Sequence, residues 1–514
     1  MRFARVVCLA AFAAGLSGCS AGRSPLPSIQ MQTSSARGLA SGRVTRLLSQ
    51  PPVAVQMAWL MTDGSILAQS QLTRQNFYRY SPDAKGDYAK GKWREVGSLQ
   101  AGYAPLAFAS SLLADGRFVI SGGEYNSGGK YTLQLVNLGA VYDPVKMTWT
   151  ALGHPHGWGW IGDSPSSILP DGRFLLGDKL HEWDAYLDPK TLQWTSVGDA
   201  GKVDFNAEEG WTLLADGTIL TADVKDAPNS EIYDPATRHW KSAGTTVVDL
   251  HSPTSDRDCV KYGPKPKDCY SAPGEIGPAI LRPDGTVFYT GSFSGPQGNG
   301  AGHTAIYYSR GPKAGKWVAG PDFPNGDNAG DSFAVLEPSG NVLVFGDSGA
   351  LYEWNGKTFT QVRNAWAVGP PILLPTGQIM MPAASTVVLY NPPGSPNPSW
   401  APAIKNYPKS VAPGKTYKIT GERFNGLSQA MAYGDEEQNP TNYPLVRITT
   451  AANGNVYYAR THDHSSMGVA TGAKLVWTYF DVPKTISTGA ARLEVVANGI
   501  ASKPVKIVVS TARL

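Results

Sequence analysis

Hydrophobic and polar residues follow one repeated pattern along most of this chain. Two short apolar runs separated by a glycine-bearing turn recur seven times, as WLMTDGSILAQ, SSLLADGRFVISGG, SSILPDGRFLLGD, WTLLADGTILTAD, AILRPDGTVFYTG, AVLEPSGNVLVFG and ILLPTGQIMMPA. The Asp-Gly step supplies the positive φ that a tight β-hairpin requires. Several hairpins are followed by an Asp-Pro step and then a tryptophan, as in AVYDPVKMTWTALG and EIYDPATRHWKSAG. This pattern adds a third and a fourth strand, and it predicts a β-propeller of seven four-stranded blades.

The two ends of this repeat predict the domain organisation. The last unit has no obvious fourth strand, so residues 43–48 (RVTRLL) are expected to supply it and close the ring, which removes an exposed sheet edge. After Pro402 the strands alternate with period two, and about seven of them predict an immunoglobulin-like β-sandwich. We therefore predict an all-β protein with a propeller over residues 43–400 and an Ig-like domain over 401–514.

The N-terminus has the pattern of an export signal. Two arginines precede an apolar run from Val6 to Leu16 that is too short to span a bilayer, and the run ends in Leu-Ser-Gly-Cys19. This ending resembles the bacterial lipobox and predicts a signal peptide over residues 1–18 and lipidation of Cys19; the alternative is an ordinary signal with a chance cysteine. Residues 19–42 are predicted to form a flexible tether. We expect a cell-envelope location, with Ser20 favouring the outer membrane, facing the periplasm or the cell surface.

The net charge and the cysteines restrict the possible partners and the compartment of the protein. Without Arg2 and Arg5 the 45 basic residues fall to 43 against 41 acidic ones, and no basic cluster indicates nucleic acid. Cys259 and Cys269 remain, ten positions apart in DCVKYGPKPKDC. In an oxidising compartment they are expected to form a disulfide; the alternative is a free thiol.

The order of a kelch-like propeller followed by an Ig-like domain resembles galactose oxidase and glyoxal oxidase, the copper radical oxidases. The stretches EEGWTLL, GPAILRPDGT and RTHDHSSMGVATG are similar to those of bacterial kelch-repeat proteins of unassigned function. The oxidase resemblance implies copper held by two histidines and two tyrosines, one of them cross-linked to a cysteine. Here no cysteine lies between Cys19 and Cys259, and no Tyr-His dipeptide occurs. The radical cofactor therefore has no donor in this sequence.

His462 and His464 are the candidate metal ligands. In a strand, positions i and i+2 face the same side, so both rings are placed to reach one ion, with acidic residues 435–437 and His251 or His303 as further donors. Thr, Asp and Ser around them favour instead a hydrogen-bonded turn packed on the propeller.

Two connections between hairpins carry the candidate ligand-binding residues. The segment GHPHGWGW contains His154, His156, Trp158 and Trp160, which either stack on a sugar or peptide or plug the space between blades. Glu208 and Glu209 precede the fourth hairpin and, with Asp327 and Asp331, are candidates for calcium. Solvated acidic loops are the alternative.

No nucleophile or phosphate-binding motif is present, and no catalytic residue is assigned. We favour a monomeric, lipid-anchored binding protein for a carbohydrate or a protein partner. The alternative is an extracytoplasmic enzyme of galactose oxidase-like architecture, metal-dependent or carbohydrate-active, without the Tyr-Cys radical. Copper and calcium are the metals considered.

Overall fold

The computed structural model describes residues 42–130, 132–252, 259–261, 269–271, 274–295, 300–366, 369–433 and 438–511. These residues form 41 β-strands, numbered in chain order, and three single-turn 3₁₀ helices: Tyr88–Lys90, Pro324–Gly326 and Pro398–Trp400. Within the described residues, no helix has the length and apolar character needed to cross a membrane. The predicted signal peptide, Cys19 and the tether lie outside them.

Six antiparallel sheets have the four-stranded form expected of a propeller blade. Blade 1 contains β2 (Val55–Leu60), β3 (Ile66–Ser70), β4 (Phe77–Ser81) and β5 (Lys92–Glu95). Blade 2 contains β6 (Ala109–Leu112), β7 (Phe118–Ser121), β8 (Gly139–Asp143) and β9 (Thr148–Leu152). Blade 3 contains β10 (Ser166–Ile168), β11 (Phe174–Gly177), β12 (Asp184–Leu187) and β13 (Trp194–Gly198). Blade 4 contains β14 (Thr212–Leu213), β15 (Ile219–Ala222), β16 (Asn229–Asp234) and β17 (His239–Thr245). Blade 5 contains β20 (Ala279–Leu281), β21 (Thr286–Thr290), β22 (Thr304–Tyr308) and β23 (Lys316–Ala319).

The sixth four-stranded sheet joins the two ends of the propeller. It consists of β28 (Ile372–Leu373), β29 (Ile379–Ala383), β30 (Thr386–Asn391) and β1 (Arg43–Arg46). β1 pairs with β30 antiparallel, with Arg43 opposite Asn391 and Arg46 opposite Val388. The prediction that residues near 43–48 provide the missing outer strand is confirmed, and we call this sheet the closing blade.

The sixth predicted hairpin has a different outcome. Its strands β24 (Phe333–Leu336), β25 (Val342–Phe345), β26 (Ala350–Trp354) and β27 (Phe359–Trp366) belong to a six-stranded sheet. The two extra strands are β34 (Ala430–Tyr433) and β35 (Gln438–Pro440), and β34 pairs with the first strand of the hairpin, β24. The prediction of seven four-stranded blades is therefore corrected to six, because strands assigned to the C-terminal domain extend this sheet.

The pair β34–β35, which we call the axial hairpin, lies at the centre of the ring. First strands of successive sheets lie side by side, and the axial hairpin contacts β2, β6, β20 and β28 in addition to β24. This explains why β2 is buried at all six positions, whereas the outer strand β17 is mostly exposed. A residual cavity of about 10 Å³ lies between the hairpin and β14 and β20, which is room for a single water molecule.

The remaining C-terminal strands form a nine-stranded sheet with a core of its own. They are β31 (Ala403–Asn406), β32 (Ser410–Val411), β33 (Thr416–Glu422), β36 (Leu445–Thr450), β37 (Val456–His462), β38 (Val476–Asp481), β39 (Gly489–Ala497), β40 (Ile500–Ala501) and β41 (Val505–Val509). The immunoglobulin-like topology stays a prediction.

The two faces of the propeller are distinct. Each first strand runs from the connection that enters its blade to a glycine-bearing turn, such as those at Gly64 (φ +73°) and Gly217 (φ +92°). The C-terminal region covers the face that carries these turns: the amides of Thr461 and His464 donate to the carbonyls of Thr62 and Ala114. We call this the turn face, and the opposite face, which carries the inter-blade connections, the connection face.

The long connection between blades 4 and 5 contains the two cysteines in a short ladder of β18 (Cys259–Lys261) and β19 (Cys269–Ser271). Its register places Cys259 opposite Ser271 and Cys269 opposite Lys261. The two cysteines are therefore not paired across the ladder, and the predicted disulfide finds no support in the backbone pairing.

Candidate functional site

A short loop of blade 3 is held in place on the connection face by one buried amide. This blade 3 loop, residues 178–183, joins β11 to β12. The Asn206 Nδ2 group, from the connection into blade 4, donates to the carbonyls of His181 at 3.0 Å, Trp183 at 3.2 Å and Asp178 at 3.4 Å. Asn206 is fully buried, so the loop is fixed to the neighbouring blade.

The blade 3 loop presents two stacked aromatic rings to solvent. The His181 and Trp183 rings are 3.9 Å apart and inclined by only 6°. Trp183 is 38 % exposed, and it is one of the few large hydrophobic residues of the described chain that are exposed. Exposed aromatic rings on a rigid loop provide a stacking surface for a ligand with an apolar face.

A buried carboxylate orients the histidine of this stack. The Asp178 Oδ1 atom accepts hydrogen bonds from the Leu180 amide at 2.9 Å and from His181 Nδ1 at 3.1 Å. The hydrogen bond with Asp178 raises the pKa of His181, and burial raises the pKa of Asp178. A proton on Nδ1 leaves Nε2 as a hydrogen-bond acceptor.

The next residue of the loop, Lys179, joins blades 3 and 4 by charge. Its Nζ lies 2.5 Å from Asp163 Oδ2 and 2.7 Å from Glu208 Oε1, and its side chain is fully buried. Burial raises the pKa of the neighbouring Glu124, and Lys179 partly offsets this rise. Lys179, a residue of the blade 3 loop, therefore neutralises part of an acidic cluster, and Glu208 is the sequence-predicted residue found there.

Glu209 belongs to a second, deeper charge cluster. The Lys202 Nζ lies 2.9 Å from both Glu209 and Glu231, and the hydroxyl of Thr221 donates to Glu209 at 3.1 Å. Burial lowers the pKa of Lys202, but the carboxylates of Glu209 and Glu231 raise it by more.

This second cluster also contains Asp223. Glu209, Asp223 and Glu231 are the only group of three or more potential metal-ligating side chains in the described part of the chain. Lys202 already supplies a cation to this group, and burial raises the pKa of Asp223 to about 8, so that Asp223 holds a proton at neutral pH. Lys202 and the proton on Asp223 thus offset part of the negative charge of the cluster. The calcium hypothesis also required Asp327 nearby, but its carboxylate accepts hydrogen bonds from Ser348 and Tyr352 in the six-stranded sheet.

The predicted aromatic segment before blade 3 is divided between core and surface. Trp158 is buried in the main hydrophobic core, and its carbonyl accepts from the Asn137 amide at 3.0 Å. His154 and His156 are exposed, and Trp160 is half-buried. Trp158 therefore acts as the plug between blades and is not available to stack on a ligand.

His462 and His464 have separate environments at the turn face. Strand β37 ends at His462, and Asp463 adopts a positive φ of 49°, which breaks the strand alternation that placed both rings on one side. His462 contacts Asp463 at 2.8 Å and Asp481 at 3.2 Å. His464 is buried, with no hydrogen-bond partner for either ring nitrogen among the described residues, and burial lowers its pKa to about 3. Neither belongs to the one group of three donors found in the described residues.

The donor set does not fit the copper that the oxidase resemblance implies. That metal requires imidazole and phenolate ligands. The buried ionisable clusters on the connection face offer carboxylates and ammonium groups, and the one buried imidazole of the described chain, His464, lies on the turn face. We derive no chemistry through copper.

Sequence reasoning missed Asp178, Lys179, His181, Trp183 and Asn206. The segment GDKLHEWD follows the third hairpin, and its concentration of charged and aromatic residues directly after a buried strand was the available indication. Two buried lysines in carboxylate clusters had no sequence signature, because charged residues are exposed by default.

Comparisons with known proteins support the fold but no specific function. No protein-family model matches the chain, and no curated protein matches it. Among solved structures, it is similar to a fungal alcohol oxidase of the AA5 family in complex with copper, at 14 % identity and a TM-score of 0.51, covering 92 % of this chain and 99 % of that one. A catalytically inactive virginiamycin B lyase from Staphylococcus aureus with quinupristin is similar at 10 % identity and a TM-score of 0.45, covering 68 % of this chain and 99 % of that one. The chain thus shares a β-propeller fold with galactose oxidase-like proteins.

Proposed function

We propose that this protein is a lipid-anchored, extracytoplasmic binding protein whose connection face recognises a carbohydrate. The observation that carries the proposal is the exposed stack of His181 and Trp183 on a loop fixed by Asn206. An indole ring packs against the apolar face of a sugar ring. The carboxylate of Glu208, which is partly exposed on the connection into the next blade, is an acceptor available to sugar hydroxyls.

The alternative enzymatic reading has less support from the same residues. Lys179 and Lys202 are both held between carboxylates, so neither is available as a free base or nucleophile. A protein partner remains an outcome of the binding test below. We also propose an Ig-like topology for the C-terminal region over residues 401–514.

We expect Trp183→Ala to lower carbohydrate affinity by about tenfold, which is about 1.4 kcal/mol of binding free energy. The reason is that the substitution removes the larger ring of the stacking surface and leaves the main chain held by Asn206. The measurement is isothermal titration of the lipid-free protein with a ligand found by glycan-array screening. Trp366→Ala is the matched control, because Trp366 is a more exposed tryptophan on the outer strand β27 of another sheet. Equal losses of affinity in both variants would refute the carbohydrate assignment. Binding to a protein partner without binding to any glycan would refute it as well.

The lipid anchor has a test of its own. We expect the wild-type protein, expressed in a Gram-negative host, to incorporate radiolabelled palmitate and to sediment with outer-membrane fractions. Cys19→Ser is expected to lose both properties while the protein is still exported. Palmitate incorporation that does not depend on Cys19 would contradict the lipobox assignment.

A further inference from the structure

One histidine of this chain differs from the others in the burial of its carboxylate partner. Four described histidines contact an aspartate at 3.2 Å or less: His181, His251, His303 and His462. The Asp178 side chain beside His181 is only 3 % exposed, whereas the aspartate partners of His251 and His303 are 52 % and 59 % exposed. The two aspartates beside His462 are 58 % and 36 % exposed. A buried partner holds an imidazole in one tautomer and one orientation more firmly than a mobile surface carboxylate does.

The free nitrogen of this imidazole is available to a ligand. His181 Nδ1 is bound to Asp178, the side chain is 42 % exposed, and Nε2 has no hydrogen-bond partner among the described residues. The ring is also fixed by its parallel contact with Trp183. The loop therefore presents an oriented hydrogen-bond acceptor at the edge of a stacking surface, which is the combination that a ring with hydroxyl substituents requires.

The charges around the imidazole set the ligand class. Asp178 and Glu182 are the charged groups that act on His181. The neighbouring cation, Lys179, is fully buried between Asp163 and Glu208. Both charged groups that act on His181 among the described residues are therefore negative, and the ammonium group of Lys179 is already paired. An anionic sugar would be repelled.

We propose that Nε2 of His181 accepts a hydrogen bond from a hydroxyl of a neutral sugar, so that protonation of His181 abolishes binding and acidic sugars are excluded. This inference rests on the proposed carbohydrate function and adds the ligand class and a dependence on pH. Neutral imidazole is the binding form, so affinity is full at alkaline pH and falls as the pH drops below the pKa of His181. Because the hydrogen bond with Asp178 raises that pKa above its usual 6.5, the loss begins closer to neutral pH than it would for an unpaired histidine.

The experiment measures binding of neutral hexose oligosaccharides and of hexuronate oligosaccharides from pH 5 to pH 8. We expect neutral ligands to lose about tenfold in affinity per pH unit below the pKa of His181, since one proton is taken up. Asp178→Asn keeps an acceptor for Nδ1 but removes the charge, so the loss of affinity should move to lower pH. Histidine ¹⁵N NMR without ligand should show the same downward shift of the His181 titration. His303→Asn is the control, because its aspartate partner is exposed, and it should leave the profile unchanged.

The outcomes separate this inference from the proposed function. Binding of neutral sugars with an affinity that does not change between pH 5 and pH 8, or a preference for hexuronates, would overturn the role of His181 while the carbohydrate function stands. Absence of binding to any oligosaccharide at every pH would overturn both. An unchanged pH midpoint in Asp178→Asn would also contradict the role of the buried carboxylate.

Discussion

Replacing Lys202 by methionine is expected to destabilise the protein by about 3–5 kcal/mol, the usual consequence of removing one partner from a buried charge cluster. The Lys202 side chain is fully buried and lies within 2.9 Å of both Glu209 and Glu231. Without it, these two carboxylates are left in a site that water does not reach. The measurement is the free energy of unfolding from urea titration.

Two further variants make this prediction specific. Lys202→Met with Glu209→Gln should recover part of the lost stability, because one of the two carboxyl groups left without Lys202 is replaced by a neutral amide. Lys90→Met should change stability little, since Lys90 pairs with Asp87 at the surface. A Lys202→Met protein as stable as Lys90→Met would show that the cluster does not carry the charges assigned to it.

A second large effect is expected as the pH rises from the acidic range to about 8. Burial raises the pKa values of Asp184, Asp223 and Glu337 to about 8. The folded protein therefore holds these protons between the ordinary carboxyl range and pH 8, whereas the unfolded chain releases them. The resulting stability is fully present below the unfolded pKa values and is lost as the pH rises from there to the folded pKa values of about 8, by about 1.4 kcal/mol per pH unit for each group. Above pH 8 these groups are deprotonated in both states and cause no further loss.

Asp184→Asn isolates one of these three groups. The Asp184 Oδ2 atom accepts a hydrogen bond from Trp240 Nε1 at 2.6 Å, and asparagine retains an acceptor there. We expect unfolding curves at pH 5, 6, 7, 8 and 9 to show a weaker loss of stability between pH 5 and pH 8 for Asp184→Asn than for the wild type, and parallel behaviour of the two proteins above pH 8. Asp188→Asn, at an exposed turn of the same blade, should follow the wild type. Identical pH dependence in Asp184→Asn and wild type would contradict the assignment of a proton to Asp184.

The sequence allowed most of the propeller to be predicted because its strands are locally encoded. The Asp-Gly turns, with positive φ at glycines such as Gly64 and Gly217, can be recognised from a few neighbouring residues. The absence of an outer strand after β30 can be recognised in the same way. The axial hairpin was different. Its first strand, AMAY, is a short and mostly apolar run, and nothing local indicates that it pairs with β24, about a hundred residues earlier. The six-stranded sheet followed from that long-range pairing.

The candidate site was predictable only in part, for a related reason. Glu208 and Glu209 were found because they directly precede a hairpin, but they lie in separate clusters around Lys179 and Lys202. Trp158, expected as a possible stacking residue, is buried, whereas Trp183 is exposed. The burial of Trp158 and the exposure of Trp183 do not follow from the local composition, because both tryptophans occupy connections rich in polar residues. What decides between them is the packing of neighbouring blades.

The most direct measurement of the central claim is a crystal structure of the lipid-free protein in complex with the oligosaccharide that binds it most tightly. We expect a sugar ring stacked on Trp183, with one hydroxyl within hydrogen-bond distance of His181 Nε2 and another near Glu208. A ligand bound on the turn face, or against His154 and His156 with the blade 3 loop empty, would contradict the account.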